Sequence, residues 1–318
     1  MAEALSVANR GRSFLFLLAI AAVLGGYVWF VEMKRDPNAS TDAPREKLFA
    51  VEPAQIQEIR LTNEAGEQST LRRAAEGRWS LVEVPGAQVD ETEAGSIATG
   101  LASLEASRVV DEQPPSLAEY GLDTPRVTAS FTDAAGKQHT LLMGSKTPAG
   151  GDVYAKLADA PRVVLIGAWH EETFNRSRFD LRDKTVMTFA RDAAGGITLT
   201  SDNRVMTLAR RSGAWTMTSP SEAPADDAAV DALLGRLASE KMLSIVDDPA
   251  AVDTGLAKPS ASVAITAGPT RAVLELGGPA GEGRVYARGS SRDLVFTVDA
   301  SLLDELRKSP DEFLKKDQ

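Results

Sequence analysis

Apolar and polar positions along this chain run through one order of periods, and then run through it again. The first round opens with strand-like segments at 56–61 and 70–72, a turn at 63–67, and a further strand at 79–84 around Trp79. A helical period comes after it. Ile97, Leu101 and Leu104 share one stripe, with Asp90 as N-cap and Glu93 as its capping-box partner. Val109-Val110 and a Gly121-Leu122-x-x-Pro125 turn come next, then short strands at 127–131, 139–143, 153–157 and 163–166, and a last helix from Ala168.

The second round repeats that order. Strands are predicted at 197–200, 205–209 and 215–217, and Asp226 caps a helix whose stripe is Val230, Leu233, Leu234 and Leu237. Ile245-Val246, Gly255-Leu256-x-x-Pro259, strands at 262–266, 272–276, 285–287 and 294–298, and a helix near Ala300 complete it. Trp79 and Trp215 stand 136 residues apart, the two Gly-Leu turns 134, and Val153-Tyr154-Ala155 and Val285-Tyr286-Ala287 132. A slow drift of this kind is what loop deletions leave after a duplication. Each unit reads as β-rich, mostly antiparallel sheet with two helices, so the expected class is α+β. The shared tryptophans read as core anchors, and the Gly-Leu-x-x-Pro pair as a turn signature.

Residues 14–31 form an 18-residue apolar run, Phe-Leu-Phe-Leu-Leu-Ala-Ile-Ala-Ala-Val-Leu-Gly-Gly-Tyr-Val-Trp-Phe-Val, without a charge. At about 1.5 Å per residue it nearly spans a hydrocarbon core of about 30 Å. It exceeds the apolar region of a cleaved signal peptide and ends in bulky residues rather than a small-residue cleavage site. Arg10 and Arg12 before it favour a cytoplasmic N-terminus, although Lys34 and Arg35 pull the other way. The expected organisation is residues 1–13 in the cytoplasm, 14–31 as transmembrane anchor, 32–47 as tether, 48–178 as the first repeat domain and 179–318 as the second.

With 318 residues the chain has room for two domains. Its net charge of −10 argues against nucleic acid, because phosphate contacts need clustered Lys and Arg. It has no cysteine, which excludes disulfides, thiol nucleophiles and Cys-ligated metal.

Candidate chemistry is sparse. His139 and His170 are the two histidines, and neither recurs in the other copy. His170-Glu171-Glu172 would need a second histidine one helical turn on to make a zinc site, and position 174 is Phe174. Gly144-Ser145-Lys146-Thr147 lacks the glycine a phosphate loop requires before its lysine. The glycine-rich run 277–283 reads as a hairpin loop, and Ser96 lacks the nucleophile-elbow pattern. Asn38 and Asn175 stand in Asn-x-Ser sequons, which matter only on a eukaryotic secretory route. No catalytic, cofactor-binding or metal-binding residue is assigned, and no cofactor is expected.

Tyr120-Gly121-Leu122-Asp123-Thr124-Pro125 and Phe179-Asp180-Leu181-Arg182-Asp183-Lys184, with the anchor and the repeated Trp hairpin, resemble the domain of unknown function 4340 family. The resemblance covers residues 48–318. Thr254-Gly255-Leu256-Ala257-Lys258-Pro259 departs from the first motif, so the second copy is the more diverged. The resemblance implies a bacterial protein without established activity, and a membrane partner, since members resemble accessory parts of ABC-type export systems of the gliding-motility kind. The leading expectation is a non-enzymatic, single-pass inner-membrane protein. Its duplicated periplasmic domain would bind a protein partner in an envelope or ABC-type transport assembly. A glycan or small-ligand module using the cleft between repeats is the alternative, and an enzyme ranks third.

Overall fold

A computed structural model describes residues 46–315. The anchor expected over 14–31 lies outside them, as do the cytoplasmic segment and most of the tether. Among the described residues no helix is long and apolar enough to cross a membrane.

The first unit runs Glu46–Lys47 (β1), Ile56–Thr62 (β2), Gln68–Arg73 (β3), Trp79–Leu81 (β4), Glu91–Ala102 (α1), Glu105–Ala106 (β5), Arg108–Asp111 (β6), Val127–Asp133 (β7), Gln138–Lys146 (β8), Asp152–Leu157 (β9), Val163–Gly167 (β10) and Trp169–Phe174 (α2). Its main sheet has eight strands in the order β4-β3-β2-β7-β8-β9-β10-β6. The second unit runs Ala194–Ser201 (β11), Arg204–Arg211 (β12), Ala214–Ser219 (β13), Ala223–Pro224 (β14), Asp227–Ser239 (α3), Ser244–Ile245 (β15), Ala261–Ala267 (β16), Thr270–Gly281 (β17), Arg284–Gly289 (β18), Val295–Asp299 (β19) and Ser301–Leu306 (α4). Its nine strands are ordered β14-β13-β12-β11-β16-β17-β18-β19-β15. With β14 removed the two orders are the same, strand for strand. Both sheets are antiparallel throughout, so the chain is two β-rich units with few helices.

Each unit has its own core. Leu61, Leu71, Ile97, Leu101 and Phe131 belong to the first, and Leu199, Leu208, Leu234, Leu237 and Ile265 to the second. Alternation along β2 buries Ile56, Ile59 and Leu61, while α1 turns Ile97 and Leu101 inward. Burying each such side chain contributes about 1.5–3 kcal/mol.

The same device ties helix to sheet in both units. Trp79 N–H donates to the Glu91 carboxylate at 3.0 Å, and Trp215 N–H to Asp227 at 2.8 Å. Both acids occupy the first turn of a helix, where negative charge is favourable. Arg73 and Arg210 lie over the two rings at 4.6 and 5.9 Å.

Two expectations change. Asp90 caps α1 through the N–H groups of Thr92 and Glu93, but no capping box closes there. Asp90 N–H donates instead to Leu181 O, and Glu93 pairs with Arg176 at 2.6 Å. The strand expected over 79–84 stops at Leu81, because Pro85 has no N–H and Gly86 takes φ 80°, so the chain turns away.

The Gly-Leu-x-x-Pro segments are turns, with Gly121 and Gly255 both at φ 66°. Each packs against a strand glycine. A Cβ on Gly144 would lie 2.1 Å from Tyr120 O, and one on Gly277 2.1 Å from Thr254 O. Both obstacles are backbone. Gly144→Ala and Gly277→Ala are therefore expected to destabilise by about 1–3 kcal/mol each, as overpacking does. Urea unfolding of the detergent-solubilised chain checks this, and unchanged midpoints would refute the close approach.

The passage between units is a shared segment. Leu181 is buried in the first core, whereas Val186 and Met187 belong to the second. Val186 N–H donates to Glu240 O as Leu48 N–H donates to Leu104 O. Residues 184–186 thus open the second unit as 46–48 open the first.

Candidate functional site

The two histidines have structural explanations. His139 lies opposite Phe131 across the β7–β8 hairpin, stacks on its ring at 4.7 Å and meets Phe49 edge-on at 5.7 Å. Its Nε2 is 3.2 Å from Asp133, and this hydrogen bond leads the interactions that hold the Asp133 carboxyl below its usual range. His170 is only 4% exposed and packs between the Trp169 and Phe174 rings. Burial pushes its imidazolium down to about 4, so it is neutral near pH 7. Leu302, fully buried, occupies the matching position in the second unit. His170 is thus a core residue with a polar edge, its Nδ1 buried without a partner.

Glu171 and Glu172 diverge from it. Glu172 is exposed. Glu171 is buried, takes Arg126 at 2.9 Å, and faces Lys146 at 3.3 Å as an ion pair without hydrogen-bond geometry. Arg126 also grips Glu64 at 2.7 Å, the leading cause of its raised pKa. The second unit has Ser260, Pro279 and Leu303 at the matching places, so this network belongs to one copy. Among the described residues no group of three or more His, Asp and Glu side chains is arranged to hold a metal ion. Residues 144–147 form the end of β8 and a turn, and 277–283 the end of β17 and its hairpin. Ser96 lies within α1.

The seam between units brings together what sequence could not. In the motif 179–184, nearly every polar group has a local partner. Asp180 accepts from Ser177 N–H at 2.9 Å and from its hydroxyl at 2.7 Å. Lys184 donates to Asp180 O at 2.8 Å and lies over the Phe179 ring. Asp183 accepts from Thr185 N–H at 2.9 Å and pairs with the Arg292 guanidinium. Arg182 is the exception. Its backbone bridges to Val89, while its side chain has no hydrogen bond or ion pair among the described residues.

Arg182 instead lines a cavity of about 380 Å³. One wall is the first unit's 84–88 and the other the second unit's 291–294. Gln88, Ser291, Arg292 and Asp293 line it as well. Burial, and then the neighbouring Arg292 charge, lower the Arg182 pKa, with Asp247 acting the other way. A half-buried guanidinium without a direct hydrogen-bonded or ion-paired partner among the described residues costs stability, and an arriving anion would relieve that cost.

A family model described as "Domain of unknown function (DUF4340)" matches residues 79–214 and again 215–318. The chain belongs to the DUF4340 family. Each match begins at the equivalent tryptophan, Trp79 and then Trp215, so the DUF4340 segment starts inside a sheet. The first DUF4340 match takes in β11 and β12 of the next unit. No curated protein and no solved structure matches the chain.

Proposed function

We propose that this DUF4340 chain is a non-enzymatic, single-pass membrane protein whose paired extracytoplasmic units bind a protein partner through the seam around Arg182. The partner belongs to an envelope or ABC-type transport assembly. Arg182, which lines the inter-unit cavity and whose side chain has no hydrogen bond or ion pair among the described residues, carries this reading. Arginine is over-represented among residues that dominate interface energy, and its planar fork suits a carboxylate on the partner. The apolar run at 14–31 supplies the anchor, and Arg10 and Arg12 support export of the chain beyond it. Among the described residues the large apolar side chains left exposed are Val82, Trp169, Val205, Leu243 and Val252.

Membranes washed with alkaline carbonate should retain the chain, and purification from them in mild detergent after cross-linking should bring down the partner. Arg182→Glu is expected to reduce that partner at least about tenfold, a loss worth about 1.4 kcal/mol. Arg271→Glu, an exposed arginine on β17, should leave it unchanged. Equal yields from both chains would sink the Arg182 reading, and release by carbonate would sink the anchor. The cavity's polar lining also favours a glycan or small ligand. That alternative gains if defined oligosaccharides raise the melting temperature of the parent chain but not of Arg182→Glu.

A further inference from the structure

The two sheets differ at one edge. In the second unit β14 completes it, with Pro224 opposite Thr216, Ala223 opposite Met217, and Ala225 N–H donating to Trp215 O at 3.0 Å. The 136-residue offset places Ala87, Gln88 and Val89 of the first unit on Ala223, Pro224 and Ala225. There the closure fails. Turn bonds from Val84 N–H to Leu81 O and from Ala87 N–H to Val84 O draw the connection away from β4, and no bond joins Val89 N–H to Trp79 O. A cavity of about 430 Å³ occupies the gap, between Arg78-Trp79-Ser80 on one side and Ala87-Gln88-Val89 on the other.

An open strand edge with an unmatched N–H and C=O is a template for another strand. The second unit shows what the position accepts, since it holds an extended backbone. The charged groups around the gap are Glu76, Glu91 and Asp183 against Arg78. Arg78 pairs with Glu76 and Arg292 with Asp183, so the Glu91 carboxylate, which accepts from Trp79 N–H, is the one negative charge of the walls without an ion pair among the described residues.

We propose that this gap is a docking slot for an extended, basic segment of a partner polypeptide, which completes the first sheet at β4 as Ala223–Pro224 completes the second. The slot deepens the partner-binding reading and rests on it, but uses a surface apart from the Arg182 side chain. Backbone hydrogen bonds would supply affinity and the Glu91 carboxylate the preference for lysine or arginine.

The test uses the full chain in detergent and three capped octapeptides. One alternates lysine with valine, one replaces lysine by glutamate, and one is the lysine peptide N-methylated at alternate amides. The lysine peptide should slow amide exchange of Val89 at least tenfold, and the other two should not. A chain whose residues 82–88 are replaced by the sequence of 218–224 should close its own slot and ignore all three. Unchanged exchange with the lysine peptide overturns the proposal, as does equal protection by the glutamate or N-methylated peptide. Arg182→Glu should bind the lysine peptide normally. Peptide binding with partner capture insensitive to Arg182 would therefore sink only the seam reading, and the reverse pattern only the slot.

Discussion

Replacing Trp215 by alanine is expected to cost the second unit about 3–5 kcal/mol, the range for deleting a large buried aromatic ring. Trp79→Ala should cost the first unit less. Trp215 is 2% exposed and Trp79 7%, and Trp79 also borders the open gap beside β4. The loss at Trp215 is tempered because its Nε1 is buried without a partner, a penalty that truncation removes. The two cores are separate, so chemical denaturation should show two transitions, each moved by its own tryptophan. A Trp79→Ala chain that shifts both transitions equally would contradict the separate cores.

The second large effect concerns acid. The folded-state value of His170 is pushed down from an ordinary 6.5 to about 4. As pH falls, the unfolded chain takes up the proton first. The stability held by the neutral ring is therefore complete above 6.5 and drains as pH falls toward 4, by about 3 kcal/mol in all. Leu302 shows that leucine fits the matching position. His170→Leu should thus keep neutral-pH stability and lose less on acidification. Asp133, Asp180 and Asp183 also have lowered values and weaken both chains in acid, so the comparison isolates His170. Urea unfolding of both chains at pH 7 and pH 4 measures it, and parallel losses would refute the assignment.

The duplication, the order of elements along the chain and the core stripes were legible because each rests on local periodicity, whereas the order of strands within each sheet rests on pairings distant in sequence and was not. Ile97 and Leu101, or Val230 and Leu234, announce a buried face by spacing alone. The seam was not legible. Arg292 and Asp183 are distant in sequence, and no spacing rule connects them. Arg182 lay within a recognised motif, but that its side chain has no partner among the described residues appears only once its neighbours are seen to have theirs. The Trp–carboxylate ties carried a usable signal, an acid directly after each helix cap at Glu91 and Asp227.

In each unit the first three strands wait for a partner made much later in the chain. β2 finds β7, and β11 finds β16. A duplicated protein offers each trio the wrong partner too, and β16 is reached across a connection roughly four times longer than the one to β7, which discriminates by only about 1 kcal/mol. Side-chain fit must supply the rest. In the first unit Ile59 faces Phe131 and Leu61 faces Ala129. In the second Ile197 faces Ile265 and Leu199 faces Val263. Crossed pairing would set Leu61 against Val263, leave Leu199 short against Ala129, and strip Phe131 of Phe49. Divergence of the copies thus works as an address, protecting a two-unit chain from exchanging strands with itself.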